Sequence, residues 1–285
     1  MKLASVIHGG AEEAAIITEG SYIAIRSINE AEGTRWHTDL LDILKFGELE
    51  EIQGWYKSKS YGQIKQLETF GDLRYAPPYR NPGKIWGIGA NYVEKAEAMA
   101  VTPPDQEPIC FMKPNTSLIG EEDAIVLPKQ SDRVTAEAEL GIVIGKTCKN
   151  IEPEEAHRFI AAYTTTLDMT AQDIHARNPR FLGRSKSFDT FFSFGPQLVT
   201  PDEIPDLENL SVETALNGKV VHQSRVANMI YSPAFIVSFF SKMMTLLPGD
   251  IMMTGTPGSI EIHEGDTAEC RIDGFMPLRN PVRAE

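Results

Sequence analysis

The chain has few cysteines, and their spacing excludes two common ways of stabilising a protein. Among its 285 residues, Cys110, Cys148 and Cys270 are the only cysteines, and no C-x-x-C pair occurs. An odd number of widely separated cysteines predicts neither a disulfide framework nor a cysteine-based zinc site. A reducing, cytoplasmic location fits this pattern, and it is the location that we predict.

Positive charge and long apolar runs are also scarce. The 27 lysines and arginines stand against 40 aspartates and glutamates, which gives a net charge of −13, and no basic cluster occurs. We do not expect a nucleic acid partner, because neutralising phosphates requires a basic surface. We do not expect a membrane partner either. The most apolar stretch, residues 234–240, is far shorter than the roughly 20 residues that span a bilayer, and the N-terminus lacks the apolar core of a signal peptide.

Proline and glycine concentrate at one place that predicts a boundary between two modules. Residues 76–83 have the sequence A-P-P-Y-R-N-P-G, and such clusters interrupt helices and strands. We predict a small N-terminal α+β domain over residues 1–75 and a larger catalytic domain over residues 83–285. No internal repeat or low-complexity tract occurs.

Strand patterns dominate the second module. Residues 137–144 alternate cleanly, and Asn217-Gly218 between two strand-like segments predicts a hairpin with a primed turn. The lack of regular β-α-β alternation favours an α+β fold built on antiparallel or mixed sheets. The main predicted strands are residues 3–7, 22–25, 85–89, 137–144, 163–167, 212–216 and 219–222. The predicted helices are residues 40–46, 49–56 and 153–162, and a short apolar helix that begins at Pro233 and is capped by Ser232.

Two glutamates lie on the best-predicted strand. Because side chains alternate along a strand, Glu137 and Glu139 leave the same face, with Cα atoms about 7 Å apart. The residues between and after them on the opposite face are apolar and pack into the core. The face that carries the glutamates continues with the small residues Gly141 and Gly145, which we expect to leave room beside the carboxylates.

Two glutamates on one strand face can also simply be solvated, and the pair alone does not decide between the two interpretations. Asp168, at the end of the predicted strand 163–167, supplies a third carboxylate. Three carboxylates without a cysteine or histidine partner favour a hard cation, Mg²⁺ or Mn²⁺, over Zn²⁺.

Other motifs in the sequence point to no function. Gly87-x-Gly89 begins like a dinucleotide fingerprint, but Tyr92 stands where a third glycine is needed. No phosphate-binding loop and no G-x-S-x-G nucleophile motif occurs. Of the six histidines, which show no ligand spacing, His175 lies nearest to Asp168 in sequence and is the one kept as a candidate.

Several segments occur in a characteristic order: IWGIGANYVEKAEAM, FMKPNTSLIG, EAELGIVIGK, TLDMTAQDIHAR, GRSKSFDTF, LNGKVVHQ, LLPGDIMMTGTPG and GFMPLRNPV. With these segments the chain resembles the fumarylacetoacetate hydrolase superfamily over residues 84–282. The resemblance implies a β-rich roll of mixed sheets around a metal site, with the small N-terminal domain preceding it. It also implies a homodimer.

The resemblance assigns roles to residues of this chain. It places Glu137, Glu139 and Asp168 as ligands of Mg²⁺ or Mn²⁺, the set that the strand pattern also selects. It places Lys186, in the segment S-K-S-F-D-T-F, as a catalytic cation.

The resemblance also implies a set of substrate-binding residues. Gly255 and Thr256, in the T-G-T-P turn, would meet a substrate carboxylate. Tyr92 belongs to an N-Y element that leads into a lid helix, and Gln172 stands where many members carry an arginine.

These residues could bind a small 2-oxo acid and stabilise its enolate. We predict a metal-dependent hydrolase that cleaves a C–C bond of an acylpyruvate-type 2-oxo or 2,4-dioxo acid. The same enolate chemistry also serves decarboxylation of an oxaloacetate-like acid and isomerisation of a 2-hydroxy-diene-dioate. A further alternative is a paralogue that keeps the fold as a non-catalytic scaffold.

The lid segment departs from the hydrolase pattern. Hydrolytic members carry a histidine and a glutamate one helical turn apart, and Lys95 and Ala98 occupy these two positions here. Lys95 and Glu97, with Glu94 as an alternative, are the candidate catalytic groups of the lid. The competing interpretation is a solvated lid helix with charge pairs at helical spacing. Decarboxylation and isomerisation gain support, because neither requires a dyad that activates water.

Overall fold

Strands are the commonest secondary structure in the described part of the protein. The structure, a computed structural model, describes residues 1–71, 73–93 and 107–285. The strands are β1 Lys2–His8, β2 Ala11–Thr18, β3 Ser21–Ala24, β4 Tyr75–Ala76, β5 Ile85–Gly89, β6 Ile109–Lys113, β7 Leu118–Ile119, β8 Ile125–Leu127, β9 Val134–Ile144, β10 Ile160–Ala171, β11 Phe192–Phe194, β12 Gln197–Val199, β13 Ser211–Leu216, β14 Lys219–Arg225, β15 Ile251–Met253, β16 Ser259–Ile262, β17 Thr267–Ile272 and β18 Leu278–Ala284.

The helices are short and few. Those of the described ranges are α1 Ile25–Glu32, α2 Leu40–Lys45, α3 Leu49–Ser58, α4 Tyr61–Leu67, α5 Gln172–Arg177, α6 Leu182–Lys186 and α7 Pro233–Met243. None of the helices that the structure describes is long and apolar enough to cross a bilayer.

The strands form two mixed sheets. The larger has 13 strands, with a main path of β3-β2-β1-β12-β10-β9-β15-β5-β6, and the smaller has the order β14-β13-β17-β18-β8. Most pairs are antiparallel, whereas β5 pairs with β15 in parallel and β8 pairs with β18 in parallel. The predicted α+β fold with mixed sheets is therefore confirmed.

Strands β9 and β10 form a long antiparallel ribbon near the middle of the larger sheet. In their register Glu137 lies opposite Asp168, and Glu139 lies opposite Thr166. Residues directly opposite each other in an antiparallel pair point to the same side of the sheet. One face of the ribbon therefore carries all three carboxylates.

The ribbon is buried on both faces along its whole length. On one face, Ala138 and Leu140 belong to a core cluster that also contains Ile236 and Phe240 of α7. On the other face, the N-terminal helices α2 and α3 contribute to a second cluster that includes Val143. The carboxylates lie on this second face.

Several local predictions are confirmed. The Asn217-Gly218 hairpin joins β13 to β14, and both turn residues have the positive φ of a primed turn, 51° and 80°. Ser232 caps α7 by accepting a hydrogen bond from the Phe235 amide. The predicted helices at 40–46 and 49–56 correspond to α2 and α3.

The helix predicted at residues 153–162 is wrong. A short 3-10 helix covers Pro153–Arg158, and β10 already begins at Ile160. Proline and two glutamates start a helical turn as expected, but Ile160 and Ala162 pair with β9 across the ribbon. Pairing with a strand that lies earlier in the sequence is a tertiary contact, and it overrides the local preference.

The N-terminal segment joins the larger sheet directly. Strand β1 pairs with β12 as well as with β2 and β4. A domain boundary at residues 76–83 stays a prediction, since continuous hydrogen bonding connects strands from both sides of it.

A half-buried carboxyl next to β18, that of Glu121, makes the stability of the fold depend on pH. Burial raises the pKa of Glu121 from 4.5 to about 7, although the Arg279 amide donates a hydrogen bond to it at 2.6 Å. The folded protein therefore binds this proton more tightly than the unfolded chain between these pH values. It follows that the free energy of unfolding falls as the pH rises from about 4.5 to about 7.

We expect Glu121→Gln to raise the melting temperature at pH 8 by about 2–4 °C, a shift that corresponds to roughly 1 kcal/mol in a chain of this class. The gain should be much smaller at pH 5, where the native carboxyl is protonated. Thermal melts of the variant at the two pH values test this expectation. Glu264→Gln, at an exposed position that is not among the groups shifting the pKa of Glu121, is the control. An equal gain at both pH values would contradict the role of the Glu121 charge.

Candidate metal centre

The three carboxylates come together on the ribbon. Ligand oxygens of Glu137, Glu139 and Asp168 all lie within 4.8 Å of one another, and all three side chains are buried. Metal–oxygen bonds of about 2.1 Å place neighbouring oxygens about 3–4 Å apart around an ion. Small rotations of the side chains would therefore bring the three oxygens into contact with one cation.

Threonines surround the carboxylates on this face. Thr166 donates a hydrogen bond to the backbone oxygen of Glu139 at 3.0 Å, and Thr170 donates to Glu137 Oε2 at 3.4 Å. A Cβ on Gly141 would lie 2.7 Å from the Thr166 methyl group and 2.8 Å from that of Thr164. The space that the glycine leaves on this face is therefore filled by threonine side chains.

Lys186 lies against the carboxylates. It ends α6, is 6% exposed, and donates hydrogen bonds to Glu137 Oε2 at 2.9 Å and to Asp168 Oδ2. Burial lowers the pKa of Lys186, but the charges of Asp168 and Glu137 outweigh it and raise this pKa above its ordinary value. Beside the free carboxylates, Lys186 is therefore a protonated ammonium.

A second lysine, Lys113 of β6, is buried behind Asp168. Its Nζ lies 2.6 Å from Asp168 Oδ1, and its side chain is fully inaccessible. It donates to the backbone oxygens of Met169, Lys186 and Phe191 at 3.0, 2.7 and 2.7 Å. Burial lowers the pKa of Lys113, and the adjacent Asp168 opposes that shift.

Glu139 is the carboxylate that these lysines compensate least. Burial, followed by the charges of Asp168 and Glu137, raises the pKa of Glu139 well above its ordinary value. The Gly255 amide donates to its Oε2 at 2.5 Å.

These observations fit a divalent cation. Three acidic side chains face two ammonium groups, so the cluster retains negative charge in a buried place. The oxygen donors are those that Mg²⁺ and Mn²⁺ prefer. A divalent ion bound by Glu137, Glu139 and Asp168 would remove the excess of negative charge.

The T-G-T-P turn follows β15 and lies beside the cluster. Thr254 is anchored to Leu140 of β9 by its hydroxyl, which donates at 2.9 Å. Gly255 has φ of 90°, and a Cβ there would lie 2.7 Å from Asn91 Cβ. Thr256 is buried, and its hydroxyl donates to the Gly258 oxygen at 2.9 Å. The turn therefore touches the carboxylates through Gly255, and the substrate contacts expected of Gly255 and Thr256 stay predictions.

Asn91 holds the turn against the N-Y element. Its side-chain amide donates to the oxygens of Thr254 and Tyr231, at 2.7 and 2.9 Å, and accepts from the Tyr231 amide. The next residue, Tyr92, is fully buried. Asn91 therefore holds the N-Y element next to the T-G-T-P turn.

The remaining candidates are near the ribbon or outside the described residues. Gln172 and His175 lie on α5, which follows β10 directly, and both are partly exposed. Burial, and then the charge of Lys186, lowers the pKa of His175. Lys95 and Glu97 fall within residues 94–106, outside the described ranges.

Lys113 and the neighbouring Phe111 ring are not among the site residues that the sequence predicted. A lysine at the end of the segment I-C-F-M-K resembles an ordinary solvated strand end. The available signal was alternation, since Phe111 and Lys113 share a face of β6, and Phe111 is apolar. The Phe111 ring centroid lies 4.5 Å from Lys186 Nζ.

Comparison with known proteins identifies relatives across most of the chain. The sequence profile of the fumarylacetoacetate (FAA) hydrolase C-terminal domain matches residues 84–283. The mitochondrial oxaloacetate tautomerase of Xenopus laevis is 38% identical over 214 residues, which cover 72% of this chain and 67% of that protein.

Solved structures match over the full length. The 5-carboxymethyl-2-hydroxymuconate delta-isomerase of Mycobacterium smegmatis superposes with a TM-score of 0.76 at 28% identity, covering 100% of this chain and 99% of that one. Maleylpyruvate hydrolase of Sphingobium sp. SYK-6, in complex with manganese(II) and pyruvate, gives a TM-score of 0.81 at 24% identity, with 100% and 99% coverage. The latter supports the fold alone.

The crowding of negative charge predicts an unusual response to substitution. In metal-free protein, at a pH high enough to ionise Glu139, we expect Glu139→Gln to raise the melting temperature by about 2–4 °C, because it removes one of three buried charges. The glutamine oxygen can still accept from the Gly255 amide. Thermal melts in the presence of a chelator measure the effect.

Adding Mn²⁺ should reverse the order of stability, since a ligand that binds the folded state stabilises it. The wild-type protein should gain more in melting temperature than Glu139→Gln. Glu261→Gln, which removes a surface partner of Arg133, is the control and should shift neither value. A metal-free Glu139→Gln variant less stable than wild type would contradict the electrostatic account.

Proposed function

This chain belongs to the fumarylacetoacetate hydrolase family, and we propose that it is a metal-dependent enzyme that interconverts the keto and enol forms of an oxaloacetate-type 2-oxo acid. The observation that carries the proposal is the contact of the buried Lys186 ammonium with two of the three clustered carboxylates. This arrangement provides a fixed positive charge beside a candidate ion site. It suits a reaction in which negative charge develops on a substrate oxygen.

The chemistry divides between an ion and the chain. An ion held by Glu137, Glu139 and Asp168 would supply Lewis acidity toward the keto oxygen and one carboxylate oxygen of the substrate. Lys186 adds a second positive charge, and its raised pKa keeps it protonated. We assign this charge to stabilisation of the developing oxyanion.

We also propose a set of substrate-binding residues. We assign Thr256 and Gly255 to the end of the site where the substrate carboxylate lies. Tyr92 and Gln172 would line its approach, from the N-Y element and from α5.

Keto–enol interconversion moves one proton and requires no water as a reactant. The proton leaves C3 and the electron pair of that C–H bond forms the C=C bond, while the carbonyl oxygen gains a proton. Removal of the proton from C3 needs a base, and Lys95 and Glu97 are our candidates. A histidine and glutamate that activate water are not needed for this reaction, which fits Lys95 and Ala98 in those positions.

Named relatives support this choice. The Xenopus laevis protein that is 38% identical to this chain is an oxaloacetate tautomerase. The structural neighbour at 28% identity is an isomerase. Both names describe reactions that rearrange a proton and a double bond without cleaving a carbon–carbon bond.

The reaction is tested with a substrate panel. The purified protein with Mn²⁺ or Mg²⁺ is mixed with enol oxaloacetate, and decay of the enol absorbance is followed. We expect ketonisation to exceed the buffer rate by about 10²-fold or more. Activity should disappear with a chelator and return when Mn²⁺ is added.

Two outcomes of these assays would contradict the proposal. Carbon dioxide release that accounts for all loss of oxaloacetate would assign a decarboxylase. Cleavage of an acylpyruvate without any faster ketonisation would assign the hydrolase that the family name suggests.

Lys186→Met tests the proposed oxyanion contact. We expect kcat to fall by about 10²–10³-fold, with a smaller change in KM, because the charge acts on the transition state. Lys242→Met, which removes a surface ion pair with Glu152, is the matched control and should retain the wild-type kcat. A Lys186→Met variant with wild-type kcat would remove the central residue of the proposal.

A further inference from the structure

We propose that Lys113 is a positioning residue, which orients the Asp168 carboxylate and fixes the backbone that carries Lys186. The inference rests on the proposed function, and it adds a residue from a strand outside the ribbon. Strand β6 lies at the end of the main path of the larger sheet, four strands from β10. Lys113 nevertheless reaches into the centre of the site.

The contacts of Lys113 leave it no capacity to bind a substrate. An ammonium has three N–H donors, and the three backbone oxygens of Met169, Lys186 and Phe191 accept them at 3.0, 2.7 and 2.7 Å. Asp168 Oδ1 adds a fourth negative partner at 2.6 Å. Lys113 must therefore act through the residues that it holds.

Lys113 constrains Asp168 from behind. The two oxygens of this carboxylate face different cations, Oδ1 toward Lys113 and Oδ2 toward Lys186. Asp168 and Lys113 are each inaccessible to solvent, so water cannot replace either partner. The rotation of the carboxylate is then fixed by the two ammonium positions.

Lys113 also fixes the main chain on both sides of the site. Met169 follows Asp168 directly, so the hydrogen bond to its oxygen restrains the end of the ribbon. The bond to the oxygen of Lys186 holds the C-terminal end of α6, from which that side chain extends. One side chain therefore sets the distance between a candidate metal ligand and the catalytic ammonium.

Phe111 completes the support from β6. Its ring lies 4.5 Å from Lys186 Nζ, within the range of a cation–π contact. Gly87 makes this possible, because a Cβ there would lie 2.3 Å from the ring. Phe111 and Lys113, two apart on one strand, thus contact Lys186 and Asp168 respectively.

The chain offers a matched control for loss of a lysine from a buried ion pair. Lys84 lies 2.7 Å from Asp250, whose side chain is 1% exposed. This pair lies at the start of β5 and β15, away from the carboxylate cluster. Lys84→Met should therefore lower stability without changing the site.

The test compares Lys113→Met, Lys113→Arg and Lys84→Met in the full-length protein. The readouts are the Kd for Mn²⁺, from the resonance signal of free Mn²⁺, the melting temperature, and kcat and KM at saturating Mn²⁺. We expect Lys113→Met to raise the Kd and lower kcat by about 10- to 100-fold each, with KM nearly unchanged. Lys84→Met should lose melting temperature but keep the Kd and kcat of the wild type.

The outcomes separate this inference from the proposed function. A wild-type protein that does not bind Mn²⁺ overturns both. A wild-type protein that binds Mn²⁺ and is active, with Lys113→Met unchanged in Kd and kcat, overturns only the role of Lys113. The role of Lys113 is also overturned if Lys84→Met raises the Kd and lowers kcat as much as Lys113→Met does. Such a result would show that both changes come from a general loss of stability.

Lys113→Arg decides the question if Lys113→Met does not fold. Arginine keeps the charge, but its longer, planar head cannot donate to the same three backbone oxygens and Asp168 in the same geometry. We expect a weaker Mn²⁺ affinity in this variant. A Kd equal to that of the wild-type protein would overturn the proposal.

Discussion

Mutual repulsion of three buried carboxylates is the constraint that the centre of this protein must satisfy. The register of β9 and β10 places Glu137 opposite Asp168, and like charges directly opposite each other destabilise a sheet. Burial strengthens the repulsion, since a low dielectric screens charges less. An antiparallel ribbon with this sequence is therefore stable only where cations are supplied by other elements of the fold.

Two separate elements of the fold supply these cations. Lys186 comes from the end of α6 and Lys113 from β6, and both contact Asp168. A backbone amide of the turn after β15 adds a hydrogen bond to Glu139. Close approach of these elements limits which residues fit, and the contact of Phe111 with Gly87 is one example. The groups that neutralise the cluster are thus the same groups that give the site its shape.

Local sequence patterns predicted those parts of the fold that depend on local physics. The Asn217-Gly218 turn forms because both residues tolerate positive φ, and α7 begins at Pro233 because Ser232 caps it. The helix predicted at residues 153–162 failed because the start of β10 pairs with β9 across the ribbon. The pairing of β10 with β9 cannot be predicted from the pattern of a short stretch of sequence. The family resemblance, carried by ordered segments, was needed to join the separate motifs into one site.

By itself the sequence determined the face that Glu137 and Glu139 share, because alternation is a property of any extended chain. It also determined the chemical type of the donor set, which consists of carboxylate oxygens. Only the tertiary structure decided that Asp168 faces Glu137, since strand register depends on pairing between distant segments. It alone decided that Lys113 is buried, because a lysine at the end of a strand is ordinarily solvated. Here three backbone oxygens, from β10, α6 and the segment after it, and the Asp168 carboxylate surround the ammonium and replace water.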